Sequence, residues 1–300
     1  MKRVLVLGLL VSLGGLSISM AAQRVGGQAQ APMVVEVDKV RDNVFVMRGG
    51  GGNTAAFVTA KGVVLVDTKN PGWGQPLLAA LKQVTDRPVM MVINTHTHGD
   101  HVSGQLEFPA SVEYVSHENT KANMQKMEPF QKNAQALPGR TYTDRLTLLS
   151  GNDRIELYYF GRAHTNGDSW VVFPAARVMH GGDAFAGKQV PLVDFGNGGS
   201  GVEYPNTLAG VVKGISGVDT VITGHANTTM TWADVQQYAN FNRDFIEWVR
   251  GQMKAGRTPE QAAEAYKVPD AYPGYSANLP PFFGGMAGYI KGIYTELGAK

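Results

Sequence analysis

The 300-residue chain contains no cysteine. That absence removes disulfides, thiolate metal ligands and any lipid-modified cysteine, so the cysteine-built zinc sites are excluded. An excess of one charge is missing too, with 27 Lys and Arg against 25 Asp and Glu. A near-neutral chain without a Lys/Arg run offers no basic footprint for nucleic acid and no patch for a membrane surface, which leaves a small molecule as the expected partner. Apolar sequence long enough to span a bilayer is also lacking: the N-terminal stretch in MKRVLVLGLLVSLGGLSISMAAQ runs for about 15 residues against the ~20 required. Two cations, an apolar stretch broken at Gly14 and Gly15, and small residues up to Ala21 follow the order of a secretory signal cut after Ala21 or Ala22. Residues 1–22 are therefore expected to be a signal peptide, 23–32 a flexible Gly/Gln/Ala lead-in and 33–300 one domain. The mature protein is expected in the periplasm or outside the cell, with no stable membrane anchor.

What is present is organised as strands, then alternating strands and helices, then helices. Residues 34–68 carry short Val-rich alternations punctuated at Asp42-Asn43, Gly49 to Asn53 and Lys61-Gly62, the pattern of antiparallel hairpins. No Lys-Ser/Thr follows the Gly49 to Gly52 run, so a flexible hairpin tip is expected there in preference to a phosphate cradle. Further strands are expected in PVMMVI, SVEYVS, near 140–149, 154–160, 169–173 and 177–180, and in TVITGH, with helices at PLLAALKQV and 117–127. Thr231 with Asp234 and Thr258-Pro259 mark two helix starts, and 282–297 reads as a last helix. Val235, Tyr238, Phe241, Phe245 and Val249 recur at three-to-four spacing, which favours core packing over a ligand groove.

Seven histidines occur in the chain, and three fall with an aspartate in residues 94–101, NTHTHGDH, directly after PVMMVI. Alternate residues of an extended segment point the same way, so His96 and His98 can reach one cation; a turn at Gly99 would aim Asp100 and His101 elsewhere. A lone HxH is equally a polar loop. Among the other histidines, His164 in GRAHTNGDSW and His225 in TVITGH sit beyond strands, as does Asp183 in VMHGGDAF. Strand-end loops are where ligand sites of layered α/β proteins gather.

HxHxDH followed by His164, Asp183 and His225, all after VVLVDT, resembles the metallo-β-lactamase-fold hydrolases over roughly residues 34–227. The resemblance implies an α/β fold, a four-layer αββα sandwich, with two divalent metal ions at one edge of the sheets. Zinc is the first expectation and iron or manganese would accept the same donors. It further implies that His96, His98 and His164 bind the first metal, that Asp100, His101 and His225 bind the second, and that Asp183 bridges them. Asp67 in LVDT would hold a ligand from behind; by itself it reads as well as a turn cap. His117 and His180 match no ligand position: His117 is expected at the surface at a helix start, His180 behind a ligand or simply buried.

A hydroxide bridging two cations about 3.5–4 Å apart would attack an ester, lactone or thioester carbonyl, or a phosphoryl centre, without a nucleophilic side chain. Asp100 beside it would orient the water or carry its proton as the catalytic carboxylate. The family's true β-lactamases carry cysteine or serine where this chain has Asp183, so an esterase, lactonase or thioesterase is the leading expectation, with β-lactamase or phosphodiesterase activity as the alternative. A catalytically silent metal-binding protein on the same scaffold is a rival of another class, disfavoured because all seven ligand positions are filled. Residues 70–73, 124–140 with Met127 and Phe130, and 184–204 with Lys188 facing an anionic group are the expected substrate loops.

Overall fold

Continuous apolar runs such as VVLV and WVVF give strands buried on both faces, and here each face meets a different layer. The computed structural model describes residues 33–279, 281 and 284–298, so the signal and lead-in expected over residues 1–32 lie outside the described residues. The hairpin strands β1 (Glu36–Arg41), β2 (Val44–Arg48), β3 (Thr54–Val58) and β4 (Val63–Val66) pair antiparallel. Then β5 (Val89–Asn94), β6 (Glu113–His117) and β7 (Arg140–Tyr142) add in parallel, completing a seven-stranded sheet in sequence order. A second sheet of six strands is built from β8 (Arg145–Leu148), β9 (Ile155–Tyr158), β10 (Trp170–Phe173), β11 (Val178–His180), β12 (Thr220–Ile222) and β13 (Met230–Thr231). Only its β11–β12 pair is parallel.

Val44, Val46, Phe57, Val64, Val66 and Ile93 of the first sheet pack against Leu157, Val171, Phe173 and Val178 of the second. The residues between them face outward: Met47, Ala56, Val63, Leu65 and Val92 meet Leu77, Ala80 and Leu81 of α1 (Gly74–Leu81). On the far side Trp170, Val172, Met179 and Val221 meet Leu208 and Val211 of α5 (Tyr204–Gly214), Tyr238 and Phe245 of α6 (Trp232–Lys254), Ala262 of α7 (Pro259–Ala265) and Ile290 of α8 (Gly285–Glu296). Helix, sheet, sheet and helix are thus the four layers, each interface closed by one parity of the strand sequence. Three short helices lie at the sheet edge, α2 (Gly99–Val102), α3 (Glu118–Met124) and α4 (Glu128–Lys132).

The stretch 140–149 is two strands, not one. Tyr142 pairs with His117 in the first sheet and Arg145 with Tyr158 in the second, because the polar Thr143-Asp144 break carries the chain across. The capping boxes at Thr231/Asp234 and Thr258/Gln261 form as the sequence indicates. Val235, Tyr238, Phe241, Phe245 and Val249 are all buried, so the α6 stripe is core. Among the described residues no helix is long and apolar enough to cross a membrane.

Candidate metal centre

Five strand ends of the two sheets converge. From the first sheet, β4 delivers Asp67 and β5 delivers His96 and His98, after which α2 turns Asp100 and His101 inward. From the second, the loop after β9 carries His164, a 3-10 turn after β11 carries Asp183, and the loop after β12 carries His225. His98 Nδ1 and His164 Nε2 are 2.9 Å apart, and His101 Nε2 and His225 Nε2 are 3.3 Å apart. Asp183 lies between the pairs, with Oδ2 3.7 Å from His164 Nε2 and 3.2 Å from His225 Nε2, and Oδ1 3.3 Å from His101 Nε2. Asp100 Oδ2 is 3.3 Å from His225 Nε2.

Ligand atoms within 4.8 Å of one another come from three groups: His96, His98, His164 and Asp183; Asp100, His101 and His225; and Asp67, His96 and His101. The third is better explained by hydrogen bonding. Asp67 accepts from Thr95 N at 2.8 Å, from Thr95 Oγ1 at 2.7 Å and from His101 Nδ1 at 2.7 Å, so it holds the back of His101. Leu192 O can only accept, so its 2.8 Å contact puts the His164 proton on Nδ1 and leaves Nε2 as a lone pair facing the cluster. His96 Nε2 and Asp183 Oδ1 are buried with no hydrogen-bond partner. Buried lone pairs converging without donors are what a divalent cation would satisfy, so these residues fit the implied metal.

The electrostatics point the same way. Burial, reinforced by His101, drives His96 well below the ordinary imidazole range, and burial with His98 lowers His164 to about 4. Burial opposes charge on His101 and His225 as well, yet Asp183, with Asp67 beside His101, raises both. Burial likewise raises Asp183, but His101 and His225 outweigh it and hold that carboxylate well below its ordinary range. A carboxylate kept ionised beside the neutral rings of His96 and His164 attracts a cation, and a metal binding His101 would displace the proton that Asp183 favours there. His96, His101 and His164 are essentially inaccessible, whereas the side chains of His225 and Asp100 are 42 % and 30 % exposed, which sets the open side of the cluster.

Several expectations need correction. The Gly49 to Gly52 run is not a free hairpin tip: a Cβ on Gly52 would lie 2.1 Å from His101 Cε1, and one on Gly50 2.1 Å from the Trp73 ring. Gly51 and Gly52 let the backbone pass close against Asp100 and His101. His117 is buried, not at the surface; its ring caps α3 by accepting from Asn119 N and stacks on Tyr159 at 4.0 Å. His180, by contrast, is buried as expected, with its Nε2 3.0 Å from Asn53 O. Phe130 and Met124 fill a small core with Val102 and cannot line a substrate loop. Lys188 is engaged by Asp234 at 2.7 Å. The stretch 184–204 instead contributes Asp194, whose Oδ2 is 2.8 Å from His98 Nε2. Nothing in the sequence marked it, since 96 residues separate the two.

The model of the "Metallo-beta-lactamase superfamily" matches residues 47–231, more than half of the chain, from the end of β2 through β13. The chain belongs to the metallo-β-lactamase superfamily. It is 26% identical over 240 residues to a "Metallo-beta-lactamase type 2" of Elizabethkingia meningoseptica, covering 74% of this chain and 88% of that one. It is 29% identical over 161 residues to the 2,4-dinitroanisole O-demethylase subunit alpha of Nocardioides sp. (strain JS1661), covering 52% of this chain and 48% of that one. Among solved structures, a metallo-β-lactamase from Pontibacter korlensis superposes with a TM-score of 0.58 at 20% identity, covering 70% of this chain and 99% of that one. A double mutant of a sec-alkyl sulfatase reaches 0.70 at 15% identity, covering 88% and 50%. These likenesses confirm the αββα fold, and the superfamily makes the chain a hydrolase with residues placed for metal.

Proposed function

We propose that this superfamily hydrolase is exported and holds two divalent cations, zinc in the first instance, with which it cleaves an ester, lactone or thioester of a small molecule. His96, His98 and His164 would hold one cation, Asp100, His101 and His225 the other, and Asp183 both. The carrying observation is the position of Asp183, 3.7 Å from His164 Nε2 on one side and 3.3 and 3.2 Å from His101 and His225 on the other. When bound, the metals supply Lewis-acid polarisation of the carbonyl and make water nucleophilic at neutral pH.

The chain's own residues supply the rest. The buried rings of His96, His101 and His164 close the far side of the cluster to water, so substrate enters past His225 and Asp100. Asp100 Oδ2, at that open edge, takes the proton from the attacking water and returns it to the leaving oxygen or sulfur. Export is supported by the charged, apolar and small-residue order of residues 1–22.

The test is metal analysis of the purified chain followed by a panel of lactone, thioester, phosphodiester and β-lactam substrates, with Asp183→Ala as control. About two metals per chain and hydrolysis lost in Asp183→Ala are expected. Fewer than one metal after zinc or iron reconstitution would sink the two-metal reading, and undiminished activity in Asp183→Ala would remove Asp183 from the site. β-Lactam hydrolysis is the second reading, favoured by the 26% identity over 240 residues to a "Metallo-beta-lactamase type 2". Aspartate at 183, where the true β-lactamases carry cysteine or serine, favours the first.

A further inference from the structure

Resting on the metal-dependent reading, we infer that Asp194 is a positioning residue for the first cation group. Its carboxylate holds His98 in the ring orientation and tautomer that turn Nδ1 toward His164, Asp183 and His96. His98 Nε2 lies 2.8 Å from Asp194 Oδ2. A carboxylate accepts, so this contact places a proton on Nε2, and in the neutral imidazole that a metal binds Nδ1 is then the lone pair. Nδ1 then faces His164 Nε2 at 2.9 Å, whose own proton is fixed on Nδ1 by Leu192 O. Two lone pairs at that separation repel unless a cation lies near both.

Asp194 is itself rigidly held. Oδ1 accepts from Asn197 N at 3.1 Å and Oδ2 from Asn197 Nδ2 at 2.6 Å. Its backbone N donates to His164 O at 2.8 Å, and its carbonyl accepts from Gly199 N at 2.8 Å. One short segment therefore grips both histidines, His164 through Leu192 O and the Asp194 amide, His98 through the Asp194 carboxylate. Partners of this kind set a ligand's tautomer and basicity, and losing one typically weakens metal binding 10–100-fold. In Asp194→Asn, whichever way the amide turns, its NH2 meets a donor of Asn197, so His98 and Asn197 cannot both be satisfied.

The experiment titrates metal-free full-length chain with zinc against a chromogenic chelator, for wild type, Asp194→Asn, Asp194→Ala and Asn197→Ala. Thermal melts of the metal-free proteins accompany it, and ring tautomers are read by long-range 1H–15N correlation. The expected result is a roughly 10–100-fold weaker first equivalent in both Asp194 variants, a second equivalent retained, a smaller loss in Asn197→Ala, and His98 leaving the Nε2–H tautomer. A merely structural role would lower the melting temperature and leave the tautomer alone. Wild-type affinity at both equivalents in the Asp194 variants, or an unchanged His98 tautomer, overturns the inference. If Asp194→Ala does not fold, Asp194→Asn and Asn197→Ala decide it by the same criteria. A wild-type chain that binds no zinc overturns the metal-dependent reading instead, which keeps the two failures distinct.

Discussion

Replacing Asp67 by asparagine tests the link between the strand-end aspartate and the candidate centre with little steric change. Asp67 has φ 65°, a left-handed conformation that asparagine tolerates, so the backbone is not the variable. Of its three hydrogen bonds, the one from Thr95 N to Oδ1 at 2.8 Å survives if the amide oxygen takes that place. The amide NH2 then replaces Oδ2, which accepts from Thr95 Oγ1 and His101 Nδ1, both at 2.7 Å. Threonine can rotate its hydroxyl. His101 can match a donor only by moving its proton to Nε2, the atom 3.3 Å from both Asp183 Oδ1 and His225 Nε2. The lone pair meant for a cation is then capped by hydrogen. Metal affinity at the His101 group should fall about 10–100-fold, or ~1.4–2.7 kcal/mol. Removing a buried charge-assisted bond should also cost roughly 1.5–3 kcal/mol of stability. Competitive zinc titration and urea denaturation measure the two effects. Unchanged affinity for both equivalents in a folded Asp67→Asn protein would refute the tautomer argument.

Gly52→Ala should cost about 1–3 kcal/mol and weaken metal binding, since its Cβ would overlap the His101 ring; Gly139→Ala, with nothing within 4 Å, should be nearly neutral in the same melts. Prolonged dialysis against a chelator should lower the melting temperature and added zinc should restore it in proportion to its concentration; an indifferent melting curve would count against a native-state metal. Lys69 gives a pH prediction. Burial lowers its amine to about 7 from an ordinary 10.5, against the opposing pull of Asp67. Between those values the unfolded chain holds a proton that the folded chain does not, so this group's contribution to stability rises with pH from about 7 to 10.5 and is least at and below 7. Lys69→Met should flatten that slope, by roughly 3–5 kcal/mol across the window at most, in urea denaturation at several pH values; parallel slopes for the two proteins would contradict it.

Much of the layer structure was legible because it follows from period-two alternation. Val64 and Val66 against Val63 and Leu65 already separate the inner face of the first sheet from its outer one. The hydrogen-bonded helix starts at Thr231 and Thr258 were equally local signals. The break at Thr143-Asp144 was not legible, because strand pattern does not say to which sheet a strand belongs. Nor was α5, whose Tyr204-Pro205-Asn206 start resembles a loop until Leu208 and Val211 find the core. For the candidate site, spacing and strand-end position brought His96, His98, His164, Asp183 and His225 forward, and the family resemblance completed the ligand set with Asp100 and His101; the fold brings these seven together. Of the supports behind them Asp67 was named with the resemblance, and two others were hidden for a physical reason: Leu192 acts through a backbone carbonyl that any residue carries, and Asp194 through a contact that chain order does not encode.

The division of the candidate ligands between two sheets has a mechanical meaning. His96, His98, Asp100 and His101 ride on the first sheet and His164, Asp183 and His225 on the second, joined beneath by contacts such as Phe57 against Phe173 at 4.8 Å. A cation shared across that seam would be a cross-link, and its affinity a gauge of how firmly the sheets are docked. Truncating Phe57, although it belongs to the core between the sheets, would then loosen metal, while metal would resist the sliding of one sheet over the other.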